Sequence, residues 1–121
     1  MDESIYPLPS TETAMRRRDL APAPLAAFKA FSSSVFADGA LPAKTKQLIA
    51  VAVAHVTQCP YCIRGHTKEA LKAGASENEI MEAIWVAAEM RAGAAYAHST
   101  LALEVMRRER KSSEDQHVDH D

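Results

Sequence analysis

The chain has 121 residues, enough for one domain with a core and too short for two ordinary ones. Its apolar share of 47% and charged share of 25% are those of a soluble globular protein, and its formal net charge of -2 argues against a nucleic-acid partner, which would select a basic stripe. Aromatic residues make up only 6% while alanine abounds, which favours helix over strand.

The opening Met1-Asp2-Glu3-Ser4 lacks the basic and apolar regions of a secretory leader, so a cytoplasmic protein is expected. Residues 1–20 read as an irregular N-terminal arm punctuated by Pro7 and Pro9, with Arg16-Arg17-Arg18 as a solvated basic cluster. The helical domain spans 21–110. Its first helix is expected to start near Pro24, to run through Leu25, Phe28, Phe31 and Val35, and to end at Gly39. A second helix covers Ala43 to about Thr57. Its stretch from Leu48 to Val56 is apolar on nearly every side, the pattern of a helix buried all round, yet far shorter than the roughly 20 residues of a membrane span. Membrane association is therefore not expected, and the polar Gln47 and His55 of this helix need partners.

A third helix starts at Cys59 with Pro60 in its first position and stops at Gly74. Ser76-Glu77-Asn78-Glu79 then has the form of a capping box, opening a helix that carries Ile80, Ile84, Trp85, Ala88 and Met90. A break or kink is expected at Gly93, followed by a last helix from about Ala94 to Arg108. Residues 111–121, rich in Ser, Asp and His, read as a disordered tail. The whole is all-α, with about five to six helices.

The chemistry concentrates in Cys59-Pro60-Tyr61-Cys62-Ile63-Arg64-Gly65-His66, which holds both cysteines of the chain. Thiol chemistry requires thiolate, and an ordinary cysteine is mostly protonated near neutrality. Cys59 sits at a helix N-terminus, where free N–H groups and the helix dipole favour an anion. His66 lies four positions after Cys62 on the same face, where an imidazole could take a thiol proton and return it to a leaving oxygen. The pair could also close a disulfide. The helix terminus favours Cys59 as first nucleophile and His66 favours Cys62, and spacing leaves that order open. Positions 55, 59, 62 and 66 would align if one helical axis continued through Pro60, which brings His55 into consideration. Cys59, Cys62, His66 and His55 could also be read as zinc ligands, but structural zinc sites usually draw ligand pairs from separate segments. No metal and no cofactor are expected.

The stretch from Lys46 to His66, with the Gly-Ala-Ser-x-x-Glu-Ile segment and the helix through Trp85, resembles the AhpD-like alkylhydroperoxidase family of the wider carboxymuconolactone decarboxylase superfamily. The likeness covers roughly residues 42–106 and is most specific in Cys-x-x-Cys-x-x-x-His. It implies an all-helical fold assembled as homotrimers or hexamers, and reduction of a small-molecule hydroperoxide, or of a disulfide, through the paired cysteines at the expense of a dithiol or lipoyl-type reductant. It also implies that Cys62 attacks peroxide, Cys59 resolves the product and His66 serves a proton relay. One position departs from that pattern: Gln47, twelve residues before Cys59, stands where the family places a glutamate base. Gln cannot take up a proton at neutral pH but can orient a partner by hydrogen bonding. Substitute relay members would be His55, Glu89 or His98. Two other functions compete. A decarboxylase of aromatic catabolism would want a cationic pocket, for which Arg64 and Arg91 are the candidates near the motif. A non-enzymatic redox-responsive oligomer would use the disulfide only to switch assembly. Self-association through apolar helix faces is expected on physical grounds too, since short helices leave little interior.

Overall fold

The computed structural model describes residues 5–119; residues 1–4 and 120–121, the outer ends of the expected arm and tail, lie outside that range. Five helices follow in order: α1 (Thr11–Leu20), α2 (Pro22–Phe36), α3 (Ala43–Thr57), α4 (Pro60–Lys72) and α5 (Glu77–Asp119). Among the described residues no strand occurs, so the all-α expectation holds.

Helix α3 is the centre. It packs against both α4 and α5, and these are the two principal pairings of the fold. The core they enclose is small: Val51 of α3, Ala70 of α4, Ala75 of the turn and Ile80 of α5, flanked by Leu48 and Ile84. Val51 and Ala70 have no exposed surface at all. Alanine at the contacts lets the helices approach closely. Ala54 and Ala87, also buried, extend this small-residue packing.

Two left-handed residues punctuate the central helices. Gln58, with φ 58°, caps α3 and turns the chain so that Cys59 can begin a new helix. Gly74, with φ 95°, ends α4 as the sequence leads one to expect. There the N–H groups of Gly74 and Ala75 donate to the carbonyls of Leu71 and Ala70, closing the last turn. The capping box also forms in full. Glu79 N–H donates to Ser76 Oγ at 3.0 Å, and Ser76 N–H donates to Glu79 Oε1 at 2.9 Å. Glu79 in addition pairs with Lys44 at 2.8 Å, joining the starts of α3 and α5. Its carboxyl is held below the ordinary value by Lys44 first and by the Ser76 N–H second.

Four expectations need correction. Residues 11–20 of the arm are helical, not irregular. Ser10 caps α1 by accepting from Thr13 N–H at 3.1 Å, and the following residues are mostly good helix formers. The first domain helix starts at Pro22 and ends at Phe36, with Ala37 extended, so Gly39 plays no capping part. Helix α5 runs unbroken through Gly93 and on through the expected tail to Asp119. A single glycine costs only about 1 kcal/mol in a helix, and no glycine or proline occurs after it to end the run. Glu104, bridged to both Arg107 and Arg108, supports the distal turns. Last, α3 is not buried all round in the single chain. Ile49, Val53 and Val56 form an exposed stripe.

Replacing the Ser76 cap should cost the fold about 1 kcal/mol. We expect Ser76→Ala to lower the urea midpoint without changing the slope of the transition, and Ser76→Asp to restore most of it.

Candidate dithiol site and its family

The reversal at Gln58 makes Cys59 the N-cap of α4, with Pro60 at the first helical position. Pro suits that place because its missing N–H is one the helix leaves unpaired in any case. Cys59 Sγ does the work usually given to a serine or aspartate oxygen: it accepts the N–H of Cys62 at 3.2 Å. The two thiols are thereby brought into one hydrogen-bonded unit. Both are free and half-buried.

They differ in acidity. The Cys59 thiol is lowered, first by the hydrogen bond from the Cys62 side chain, then by the Cys62 and Tyr61 backbone N–H groups. The Cys62 thiol is raised, first by that same bond, then by desolvation and by the charge on Cys59. Cys59 does sit at the helix terminus, but the first cause of its lowering is the Cys62 side chain, with the backbone N–H groups of the terminus second. His66 contributes to neither shift, and its proton chemistry must be considered apart from the resting acidity of the pair.

His66 is positioned by three elements. It rides on α4 one turn beyond Cys62. Its Nδ1 lies 2.8 Å from Oε1 of Gln47, which α3 supplies from the other side. Phe36, the last residue of α2, stacks on the imidazole with ring centroids 5.1 Å apart and planes 29° from parallel. Phe36 is held there by Lys46, whose Nζ donates to the carbonyls of Val35 at 2.9 Å and Ala37 at 2.6 Å. A cation at the carbonyl end of a helix is favourable both as a cap and against the dipole. Asp38 fixes the far end of the same loop, accepting the Ala43 N–H at 2.6 Å.

Beside these groups lies a cavity of about 390 Å³. Its wall is formed by α2 through Val35 and Phe36, by the Ile49–Val53 stripe of α3, and by Cys62 and His66 of α4. Lys46 also borders it, with its ammonium already engaged by two carbonyls. The lining is mostly apolar, with Lys46, Thr57, Cys62 and His66 as its polar members. Cys59 does not line it.

Of the residues singled out by sequence, Gln47, Cys59, Cys62 and His66 come together. The other three do not join them. His55 Nδ1 donates to the Val51 carbonyl of its own helix at 2.7 Å. The turn at Gln58 breaks the helical register that would have aligned it with the thiols. His98 likewise bonds the Ala94 carbonyl one turn back, at 2.9 Å, and Glu89 is exposed on α5. None of the three borders the cavity. Arg64 is exposed, and Arg91 reaches the Val56 carbonyl at 3.4 Å, so neither makes the cavity cationic. Sequence reasoning missed Phe36 and Lys46. Their signal was faint: an aromatic at a helix end and a lysine beside Gln47, neither of which announces a tertiary contact.

The fold is an all-helical domain with one thiol of a Cys-x-x-Cys pair and a braced histidine in the wall of a largely apolar cavity. The chain belongs to the carboxymuconolactone decarboxylase family, whose profile matches residues 22–105. It is 71% identical over 80 residues to an uncharacterized protein of the cox locus of Paracoccus denitrificans, covering 66% of this chain and 72% of that one. Among solved structures, it is similar to a carboxymuconolactone decarboxylase family protein of Legionella pneumophila in its apo form. That likeness has 35% identity and a TM-score of 0.63 over 66% of this chain and 71% of the other. It is also similar to a family protein of Thermotoga maritima, for which a part in antioxidative response has been suggested. There the identity is 28% and the TM-score 0.50, over 66% of this chain and 92% of that one.

The two thiols should ionise in order. As pH rises, iodoacetamide should label Cys59 first and Cys62 later, read by peptide mass spectrometry. In Cys59→Ser, the charge that opposes ionisation of Cys62 is gone, so its labelling should move to lower pH than in the native chain.

Proposed function

We propose that the protein is a thiol peroxidase that reduces small organic hydroperoxides, with Cys62 as the attacking thiol, Cys59 as the resolving thiol and His66 as the proton carrier. The observation that carries this reading is the apolar cavity with Cys62 and His66 in its wall. A hydrophobic organic chain fits such walls, and its peroxide end would meet the two polar groups there.

The reaction starts from the state of the pair with one proton between the two sulfurs. When that proton sits on Cys59, the thiolate on Cys62 faces the cavity. Cys62 Sγ attacks the terminal oxygen of the hydroperoxide, the O–O bond breaks, and an S–O bond forms as a sulfenic acid. The alkoxide leaves as alcohol, taking its proton from the His66 imidazolium. Now neutral, His66 accepts the proton of Cys59. The Cys59 thiolate attacks the Cys62 sulfur and closes the disulfide, while the departing hydroxide leaves as water with the proton from His66. Two electrons and two protons from a dithiol, such as a lipoyl-type donor, restore the starting pair. The resting preference for the anion on Cys59 limits the fraction of reactive Cys62, so a moderate rate is expected.

A decarboxylase reading receives less support, because the one cation among the described residues lining this cavity, Lys46, is already directed at the Val35 and Ala37 carbonyls. Assembly into trimers or hexamers belongs to the same proposal. Phe28 and Phe31 of α2 are 65% and 63% exposed, and Trp85 of α5 is 69% exposed. Together with the α3 stripe they leave large apolar side chains in water that a partner chain could cover. Among the described residues no helix is long and apolar enough to cross a membrane, so lipid need not be invoked as their cover.

Cumene hydroperoxide reduction driven by a dithiol should be lost in Cys62→Ser. Cys59→Ser should still consume about one equivalent of peroxide and then stop; full turnover by the Cys62→Ser chain would refute the assignment. Light scattering should give a mass of three or six chains, and Phe31→Glu should lower it.

A further inference from the structure

We propose that Gln47 is a positioning residue that locks His66 in the Nδ1–H tautomer, leaving Nε2 as the nitrogen that gains and loses the catalytic proton. Gln47 is the buried polar residue of the core, at 9% exposure. A buried amide costs free energy unless it is hydrogen-bonded, and the contact with His66 at 2.8 Å supplies a partner. The atom facing the imidazole is the amide oxygen. An oxygen of this kind only accepts, so Nδ1 must carry a hydrogen. One nitrogen being committed, the second is decided: neutral His66 has a bare Nε2.

The lock has two parts. Gln47 holds the edge of the ring, and Phe36 covers its face at 5.1 Å. Turning the imidazole over would break the hydrogen bond and bring a C–H toward the buried amide oxygen. The ionisable groups bordering the cavity with His66 are Lys46 of α3 and Cys62 of α4, while α2 contributes the uncharged Val35 and Phe36. Lys46 is tied to two carbonyls of the α2 end, so Gln47 is the side chain that bonds the imidazole. A glutamine there makes the dyad neutral. It orients the ring as a carboxylate would, without taking a proton and without adding charge that would favour the imidazolium. Gln47 is thus a fixed acceptor, and the proton moves only between His66 Nε2, the sulfurs and substrate oxygen.

This inference rests on the peroxidase reading for its kinetic consequence alone; the tautomer is measurable without turnover. Nitrogen-15 and carbon-13 NMR of imidazole-labelled protein, above the titration of His66, should show the Nδ1–H signature in the native chain. Gln47→Leu should lose it. Gln47→Glu, which keeps an oxygen acceptor at the same place, should retain it. In peroxide reduction, Gln47→Leu should lower kcat about 100-fold, the lower range for general acid–base groups, with KM within about twofold. Gln47→Glu should recover at least about tenfold of that loss. An Nε2–H signature in the native protein, or an Nδ1–H signature that persists in folded Gln47→Leu, would overturn the proposal. An intact tautomer pattern with no turnover in any chain would instead count against the peroxidase reading and leave the lock in place.

Discussion

The contact between Gln47 and His66 joins the buried helix to the helix that carries the thiols, and much of the site depends on it. It fixes where α4 lies against α3 along the side that faces the cavity. It satisfies the amide of Gln47, which would otherwise be a liability in the core. It also sets the imidazole on which Phe36 closes, so that the end of α2 has a defined place despite few other contacts with the domain. Lys46 and Gln47 are adjacent in sequence but bond different partners: one holds the α2 end, the other the α4 histidine. Two neighbouring residues of α3 therefore position both walls of the cavity.

The thiol pair shows how local backbone chemistry and wider electrostatics act on the same atoms. Cys59 is acidified because it caps a helix and receives hydrogen bonds from Cys62. The Cys62 thiol is the weaker acid in consequence, since its hydrogen bond to Cys59, then desolvation and the charge on Cys59, oppose its ionisation. Yet only Cys62 lines the cavity. Acidity and access thus fall on different sulfurs. Under the proposed peroxidase reading, a Cys59 thiol that gives up its proton readily would close the disulfide soon after the sulfenic acid forms, which would protect Cys62 against further oxidation.

The core of this chain is small for its length, with few fully buried side chains and much aromatic and aliphatic surface still in water. That balance would be poor for an isolated monomer. Ile49 and Val53 of the α3 stripe both line the cavity and belong to this exposed surface.

Much of the architecture was legible in sequence, because it follows from short-range rules. The bounds of α3 and α4, the proline after Cys59, the stop at Gly74 and the Ser76–Glu79 box are decided within a turn or two of the chain. So is the pairing of the cysteines, since an N-cap and the residue three positions on are neighbours whatever the rest does. Where structure and sequence pattern part, the causes are local as well: Ser10 caps a helix inside a proline-rich arm, and the helix-forming flanks of Gly93 carry α5 through it. What sequence could not decide was which polar residues would meet. His55 seemed in register with the thiols until the left-handed turn at Gln58 took it out, and Gln47 seemed a defect until α4 laid His66 against it. Those outcomes depend on how two helices pack, a non-local balance of small apolar contacts. No spacing along one chain encodes it.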